Sequence, residues 1–259
     1  MLIIGERING LFKDVARAIQ EKDKTIIQNL AKKQVNFGAD MLDLNTGPAS
    51  LNPQEDIVWL VNTVEEVTDK PVAIDSPKTE VLERGLEAVG RSRPMINSTT
   101  AQKEKLDLII PLAVKYKASV IGLTMSEKGI PSDAHAKSEL ALQIIAACME
   151  HGVTTEDIYI DPLILPVNVA QAQVKDTLAA IKNIRSLSDP APHVILGLSN
   201  VSQGAKYRGL INRTYLVMAM AMGLDGVIMD PMDTDLMDAL RTARILLNQS
   251  IYCESYLKI

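Results

Sequence analysis

An α/β fold, a single (β/α)8 TIM barrel, is what this sequence predicts, on three observations. Eight short, β-branched apolar runs recur along the chain, and helical periodicity fills the gaps between them. The 259 residues divided among eight units give about 32 each, the size of one strand plus one helix. A barrel of this kind typically needs about 250 residues, so one domain spanning 1–259 is expected. No linker, low-complexity tract or charge block divides it.

The strand candidates, in order, are residues 2–6, 41–45, 72–75, 95–97, 120–125, 158–161, 194–199 and 227–230. Their apolar character is continuous rather than alternating, as in parallel strands covered on both faces. Between them, Ile27, Leu30, Ala31 and Val35 share one helical face, as do Leu140, Ile144, Ala147 and Cys148, and again Val174, Leu178 and Ile181. Gly38 and Gly223 each follow such a helix just ahead of the next strand, the place of a C′ cap. A doubly wound open sheet wants a GxGxxG turn after its first strand, and Ile4-Gly5-Glu6-Arg7-Ile8-Asn9-Gly10 does not supply one. Only 3% of the residues are aromatic, so Leu, Ile, Val, Ala and Met must fill the core.

Charge narrows the function. Lys plus Arg number 27 against 32 Asp plus Glu, a net −5, with a pI near 5.3. Nucleic acid and acidic membrane both want a basic face, so neither is expected as a partner. The longest uncharged apolar run, 215–224, falls well short of the ~18 residues of a membrane span. The N-terminus lacks the basic region of a signal peptide, and Cys148 and Cys253 form no CxxC. A soluble, cytoplasmic protein is expected.

Barrel chemistry sits at the C-terminal ends of the strands. Those ends read Glu6 and Asn9, Asp43 and Asn45, Asp75, Asn97, Thr124, Asp161, Ser199 and Asn200, and Asp230. His135, His151 and His193 fall before a helix, at a helix end and at a strand start, without an HxxxH or HxH pair, so no metal site is expected. Lys78, after the third strand, begins a solvated helix face rather than offering a desolvated amine, and no histidine is available for a triad. What remains is a site that hydrogen-bonds a flat heterocycle. Asp75 and Asp161 each accept two N–H donors, as from a 2-amino-4-oxo ring edge, while Asn97 and Asn200 both donate and accept. Any one of these residues has a plainer use as a helix cap; four of them at four strand ends favour a ligand.

Six segments carry a resemblance: Glu6-Arg7-Ile8-Asn9-Gly10, Gly38-Ala39-Asp40-Met41-Leu42-Asp43-Leu44-Asn45, Ile74-Asp75-Ser76, Ile96-Asn97-Ser98, Asp161-Pro162-Leu163 and Gly197-Leu198-Ser199-Asn200-Val201-Ser202. In this order, over nearly the whole chain, they resemble the pterin-binding barrel family. That family includes dihydropteroate synthase and the folate domain of cobalamin-dependent methionine synthase. At this length the chain is most similar to methyltetrahydrofolate:corrinoid/iron–sulfur protein methyltransferases. The resemblance implies that Asp75, Asn97 and Asp161 hold the pterin edge and that Asn200, the catalytic residue, reaches N5. It also implies that Gly197 and Ser199 shape the floor beneath the ring, with Gln203 and Arg208 beside it. Methyltetrahydrofolate is then the methyl donor, Co(I) of a corrinoid/iron–sulfur protein the acceptor in the acetyl-CoA pathway, and a homodimer the assembly. The chain has no Asp-x-His-x-x-Gly stretch of the kind cobalamin modules use, so the corrinoid is expected on the partner.

Two departures from dihydropteroate synthase favour methyl transfer: Asn45-Thr46-Gly47-Pro48 replaces a Gly-Gly-rich stretch, and no Ser-x-Arg follows the last strand. A dihydropteroate-synthase-like condensing enzyme is the alternative, and only Lys206 and Arg208 offer it a diphosphate site. A non-catalytic pterin- or folate-binding protein is another, which would tolerate loss of Asn200. As a neutral donor, Asn200 is expected to strengthen its bond in the transition state rather than to supply a proton. No mouth residue is expected to be a good acid near neutral pH, which leaves solvent as the proton source. Loops 9–12 and 45–52 are candidates for a docking rim, and Met218 and Met222 are expected to pack their helix on the barrel wall.

Overall fold

Each strand of this protein steps residues alternately into the barrel and out toward the helices, and both rows are apolar at the base. Ile4, Met41, Ala73, Met95, Ile121 and Ile195 form the inner cluster, whereas Leu42, Ile74, Ile96, Ile160, Leu196 and Val227 belong to the outer layer beneath the helices. This double burial is why the strands read as continuous apolar runs. Removing a Leu- or Ile-sized side chain from water stabilises the fold by about 1.5–3 kcal/mol.

The computed structural model describes residues 1–258. Eight parallel strands close in chain order: β1 (Leu2–Asn9), β2 (Met41–Asn45), β3 (Val72–Asp75), β4 (Met95–Thr100), β5 (Ser119–Leu123), β6 (Ile158–Asp161), β7 (His193–Gly197) and β8 (Gly226–Met229), with β8 pairing back onto β1. Around them lie α1 (Lys13–Glu21), α2 (Lys24–Asn36), α3 (Pro53–Glu65), α4 (Thr79–Ala88), α5 (Lys103–Tyr116), α6 (Ala134–Glu150), α7 (Val167–Ala170), α8 (Gln173–Ile184), α9 (Arg208–Ala221) and α10 (Thr234–Leu246). The expected (β/α)8 barrel is therefore present, with two extra helices, α1 and α7, in the loops after β1 and β6. No helix among the described residues is long and apolar enough to cross a membrane.

Several boundaries differ from the sequence reading. β1 and β4 run on to Asn9 and Thr100, past register shifts between Gly5 and Ile8 and between Asn97 and Thr99. β7 stops at Gly197, and Leu198–Ser202 coils into a 3₁₀ turn. β5 ends at Leu123 and β8 at Met229, which leaves Thr124 and Asp230 just outside their strands. His135 lies within the first turn of α6 rather than before it. Gly38 (φ 105°) and Gly223 (φ 104°) do close α2 and α9 in the left-handed region.

Two helix faces also need correction. The buried stripe of α6 is Lys137, Ala141, Ile144, Ile145 and Cys148, with Leu140 and Ala147 at its margin. On α9 the wall is packed by Tyr215, Leu216, Ala219 and Met220, while Met218 (44% exposed) and Met222 (37% exposed) face outward. Alternating methionines two apart cannot all share one face of a helix.

Candidate active site

The inward row that is apolar at the base turns polar at the top. One two-residue step carries Ile4 to Glu6, Met41 to Asp43, Ala73 to Asp75, Met95 to Asn97, Tyr159 to Asp161, Ile195 to Gly197 and Ile228 to Asp230. β7 and β5 depart, with Gly197 and Leu123 at their inward ends. The strand period of two thus collects these acids and amides in the mouth.

Adjacent ends interlock. Asp75 and Asn97 are register partners on β3 and β4. The Asn97 amide donates to Asp43 (3.0 Å), and the Asn45 amide donates to Asp75 (2.6 Å) while accepting the Gly47 N–H (2.7 Å). That Asn45 turn is crossed by the loop after β1 so closely that a Cβ on Gly10 would sit 2.1 Å from the Thr46 carbonyl oxygen. Glycine is required there by the backbone contact itself.

Asp161 is buried and accepts the Leu163 N–H (2.7 Å) on one oxygen and the Gly197 N–H (3.3 Å) on the other. The exposed Asn200 amide lies over Gly197, where an added Cβ would come within 3.0 Å of Nδ2. Ser199 donates its hydroxyl to Glu6 (2.6 Å). Arg208, the first residue of α9, donates to the Ser202 hydroxyl (3.1 Å) and the Ser199 carbonyl (3.3 Å). Glu6, Ser199, Asn200, Gln203, Arg208 and Asp230 line a cavity of about 800 Å³, and Asn45, Ser76, Pro77 and Lys78 line another of about 530 Å³. Asp75, Asn97 and Asp161 line neither; their side chains lie deeper, buried or half-buried.

Burial dominates the acid–base character of the mouth. It pushes Asp161 up to about 6, against the pull of two backbone N–H groups and the Lys137 charge. It raises Glu6, with Asp230 adding to the effect and Ser199 opposing it. Asp43 is held well above the carboxylate range by burial and by Asp75; Asp75 itself is raised by burial but takes hydrogen bonds from Asn45 and Asp43. Burial and the facing carboxylates thus disfavour two full charges side by side on Asp43 and Asp75. Sequence shows that a carboxylate is present and not how deeply it is buried, so the raised Asp161 carboxyl was not foreseen.

A sequence profile of the family described as pterin binding enzyme matches residues 11–230. The chain belongs to the pterin-binding enzyme family. It is 31% identical to a methylcorrinoid:tetrahydrofolate methyltransferase of Eubacterium limosum, over all of this chain and 95% of that one. That full-length match is to a methyltransferase, and the chain is an enzyme of that class. A methionine synthase of Mycobacterium leprae is 31% identical over 88% of this chain, which spans a fifth (20%) of that much longer protein. Among solved structures, a dihydropteroate synthase of Xanthomonas albilineans in complex with 7,8-dihydropteroate superposes with a TM-score of 0.66 over 97% of this chain and 94% of its own, at 19% identity. That likeness establishes the fold.

Every site residue expected from the sequence lies at this mouth. Sequence reading placed Glu6, Asp43 and Asn45 at strand ends but gave them no role, and missed Lys137 entirely. A signal for it existed: Lys137 stands 4, 7 and 11 residues before Ala141, Ile144 and Cys148, on the apolar stripe of α6.

Proposed function

We propose that the chain transfers a methyl group between N5 of a reduced folate and the cobalt of a corrinoid carried by another protein. The observation that carries this reading is the row of inward acceptors, Asp75, Asn97 and Asp161, set below Asn200 on the turn after β7. Asp75 and Asp161 accept the N–H groups of the pterin edge, and Asn97 answers both donors and acceptors. A ligand lacking those N–H groups leaves buried acceptors unpaired, which gives the site its specificity. Gly197 and Ser199 form the floor, with Gln203 and Arg208 beside the ring.

Methyl loss from a tertiary amine requires positive charge at N5, so the leaving group departs neutral after protonation. Asn200 donates to the form that leaves, a bond that grows along the reaction and accelerates it. The proton is assigned to Glu6, which shares the Asn200 cavity and is raised by burial, relayed through water in place of the bulk solvent expected from sequence. The E. limosum relative is named for transfer from methylcorrinoid to tetrahydrofolate, the reverse of the direction expected from sequence. One constellation serves both directions: the groups that protonate N5 for departure deprotonate it on return.

The corrinoid is a substrate on a partner protein. Leu11, Leu51 and Tyr207, 71%, 91% and 81% exposed, stand on the loops around the mouth, and such exposed apolar groups suit a docking rim. The finer reading, a corrinoid/iron–sulfur protein in the acetyl-CoA pathway and a homodimeric enzyme, rests on the family resemblance. A condensing enzyme is less well supported, because Arg208 already bonds Ser202 and Ser199. Anaerobic mixing with methyltetrahydrofolate and cob(I)alamin, followed by the corrinoid spectrum, tests the proposal. Methylcobalamin is expected; folate binding with no transfer to free or protein-bound corrinoid would leave a binding protein instead.

A further inference from the structure

Lys137 occupies a position where the packing of α6 calls for an apolar side chain. It is 0% exposed, on the stripe that continues through Ala141, Ile144 and Cys148. Its ammonium donates to the Pro162 carbonyl (2.5 Å) and the Leu163 carbonyl (3.0 Å), the two residues after Asp161. In that turn Leu163 takes a left-handed backbone (φ 56°), a costly conformation for a residue with a Cβ. The same Leu163 N–H returns to Asp161. The ammonium, the two carbonyls, the left-handed residue and the Asp161 carboxylate are thus joined in one continuous set of hydrogen bonds. Burying an ammonium costs several kcal/mol, so packing alone gives no reason to keep a lysine here.

We propose that Lys137 is a positioning residue for ligand recognition: its buried ammonium braces the Pro162–Leu163 turn and keeps Asp161 oriented and ionised toward the pterin N–H groups. The inference rests on the reading of Asp161 as a pterin acceptor. The acids that face Lys137 are Asp161 of β6, Asp176 of α8 and Asp133 at the start of α6; Asp161 in turn faces Lys137 and the buried phenol of Tyr215 on α9. Of these, Asp161 is the acid tied to the Lys137 turn by hydrogen bonds and aimed at the mouth.

The test is the affinity for methyltetrahydrofolate from about pH 5 to about pH 9 in the wild type, Lys137→Met, Lys137→Arg and Asp161→Asn. The wild type loses affinity as pH falls through the Asp161 range near 6. In Lys137→Met that midpoint moves up by about one unit, so affinity is down roughly tenfold at pH 5, about twofold at pH 7, and matches the wild type near pH 9. Lys137→Arg keeps the wild-type midpoint. A folded Lys137→Met with the wild-type profile, or with the same loss at every pH, overturns the proposal. If Lys137→Met does not fold, a displaced midpoint in Lys137→Arg overturns it. Wild-type binding by Asp161→Asn would instead remove the pterin reading itself, and loss in Asp161→Asn alone would remove only the role of Lys137.

Discussion

At the base of the barrel, Asp225 accepts hydrogen bonds from Arg185 (2.8 Å), His193 (2.7 Å) and the Val194 N–H (2.7 Å), and Arg93 reaches Asp157 (2.6 Å). Glu65 takes the Gly90 and Arg91 N–H groups in the same way. At the mouth, Asp43 and Asp75 face one another, Glu6 faces Asp230, and the lysine nearest Asp161 spends its hydrogen bonds on carbonyls. Both ends hold cavities; the one at the base, lined by Arg93, Tyr116 and Asp157 among others, reaches about 620 Å³. Volume therefore does not separate them. The difference lies in how the acids are used: those at the base are closed into the fold, and those at the mouth keep lone pairs open at a cost in stability.

That contrast is broken most directly at the deep acceptors. Asp161→Ala or Asp75→Ala should weaken methyltetrahydrofolate binding by about a hundredfold or more, since hydrogen bonds to a charged group contribute about 1.5–3 kcal/mol each. Isothermal titration measures the loss, and a change below threefold in a folded variant would show that the open lone pairs serve no pterin. Asn200→Ala should lower kcat/KM about ten- to a thousandfold, the range for a donor aimed at developing charge. Glu6→Gln should cost about a hundredfold and remove the limb of the pH–rate profile that Glu6 contributes.

A smaller effect concerns stability. A carboxyl whose folded pKa is raised stabilises the fold while protonated and withdraws that contribution as pH rises. For Asp161 the window runs from about 4, the unfolded value, up to about 6. The ligand-free wild type should therefore lose about 2–4 °C of Tm between pH 4 and pH 8, the shift that about 1 kcal/mol makes in a chain of this size, and Asp161→Asn should flatten that decline while losing one of the two backbone N–H bonds at both pH values. Thermal unfolding at the two pH values checks the sign. Smallest of all, Arg93→Ala at the base should cost about 1 kcal/mol, because the guanidinium is half exposed, and should leave methyl transfer unchanged.

Much of this was legible in the sequence because barrel strands are buried on both faces. Met41-Leu42-Asp43-Leu44-Asn45 shows the apolar run and its polar end together, and the step of two that sends Met41, Asp43 and Asn45 inward follows from strand geometry. The 3₁₀ turn at Leu198–Ser202 was not legible, since Leu198 and Val201 suit a strand equally well and the turn packs against α9, β8 and α7, which lie outside that stretch of sequence. Raised carboxyls were not legible either: Glu6 and Asp161 owe theirs to desolvation by residues remote in sequence. The place of Lys137 on the apolar stripe of α6 was legible, but its partners were not, because they are backbone carbonyls with no side-chain signal.

A crystal structure of the chain with methyltetrahydrofolate bound is the most direct measurement of what the open acids of the mouth receive. The expected result is the pterin edge against Asp75, Asn97 and Asp161, with N5 within hydrogen-bond reach of the Asn200 amide. A pterin seated elsewhere, or those three side chains left facing only one another, would contradict it.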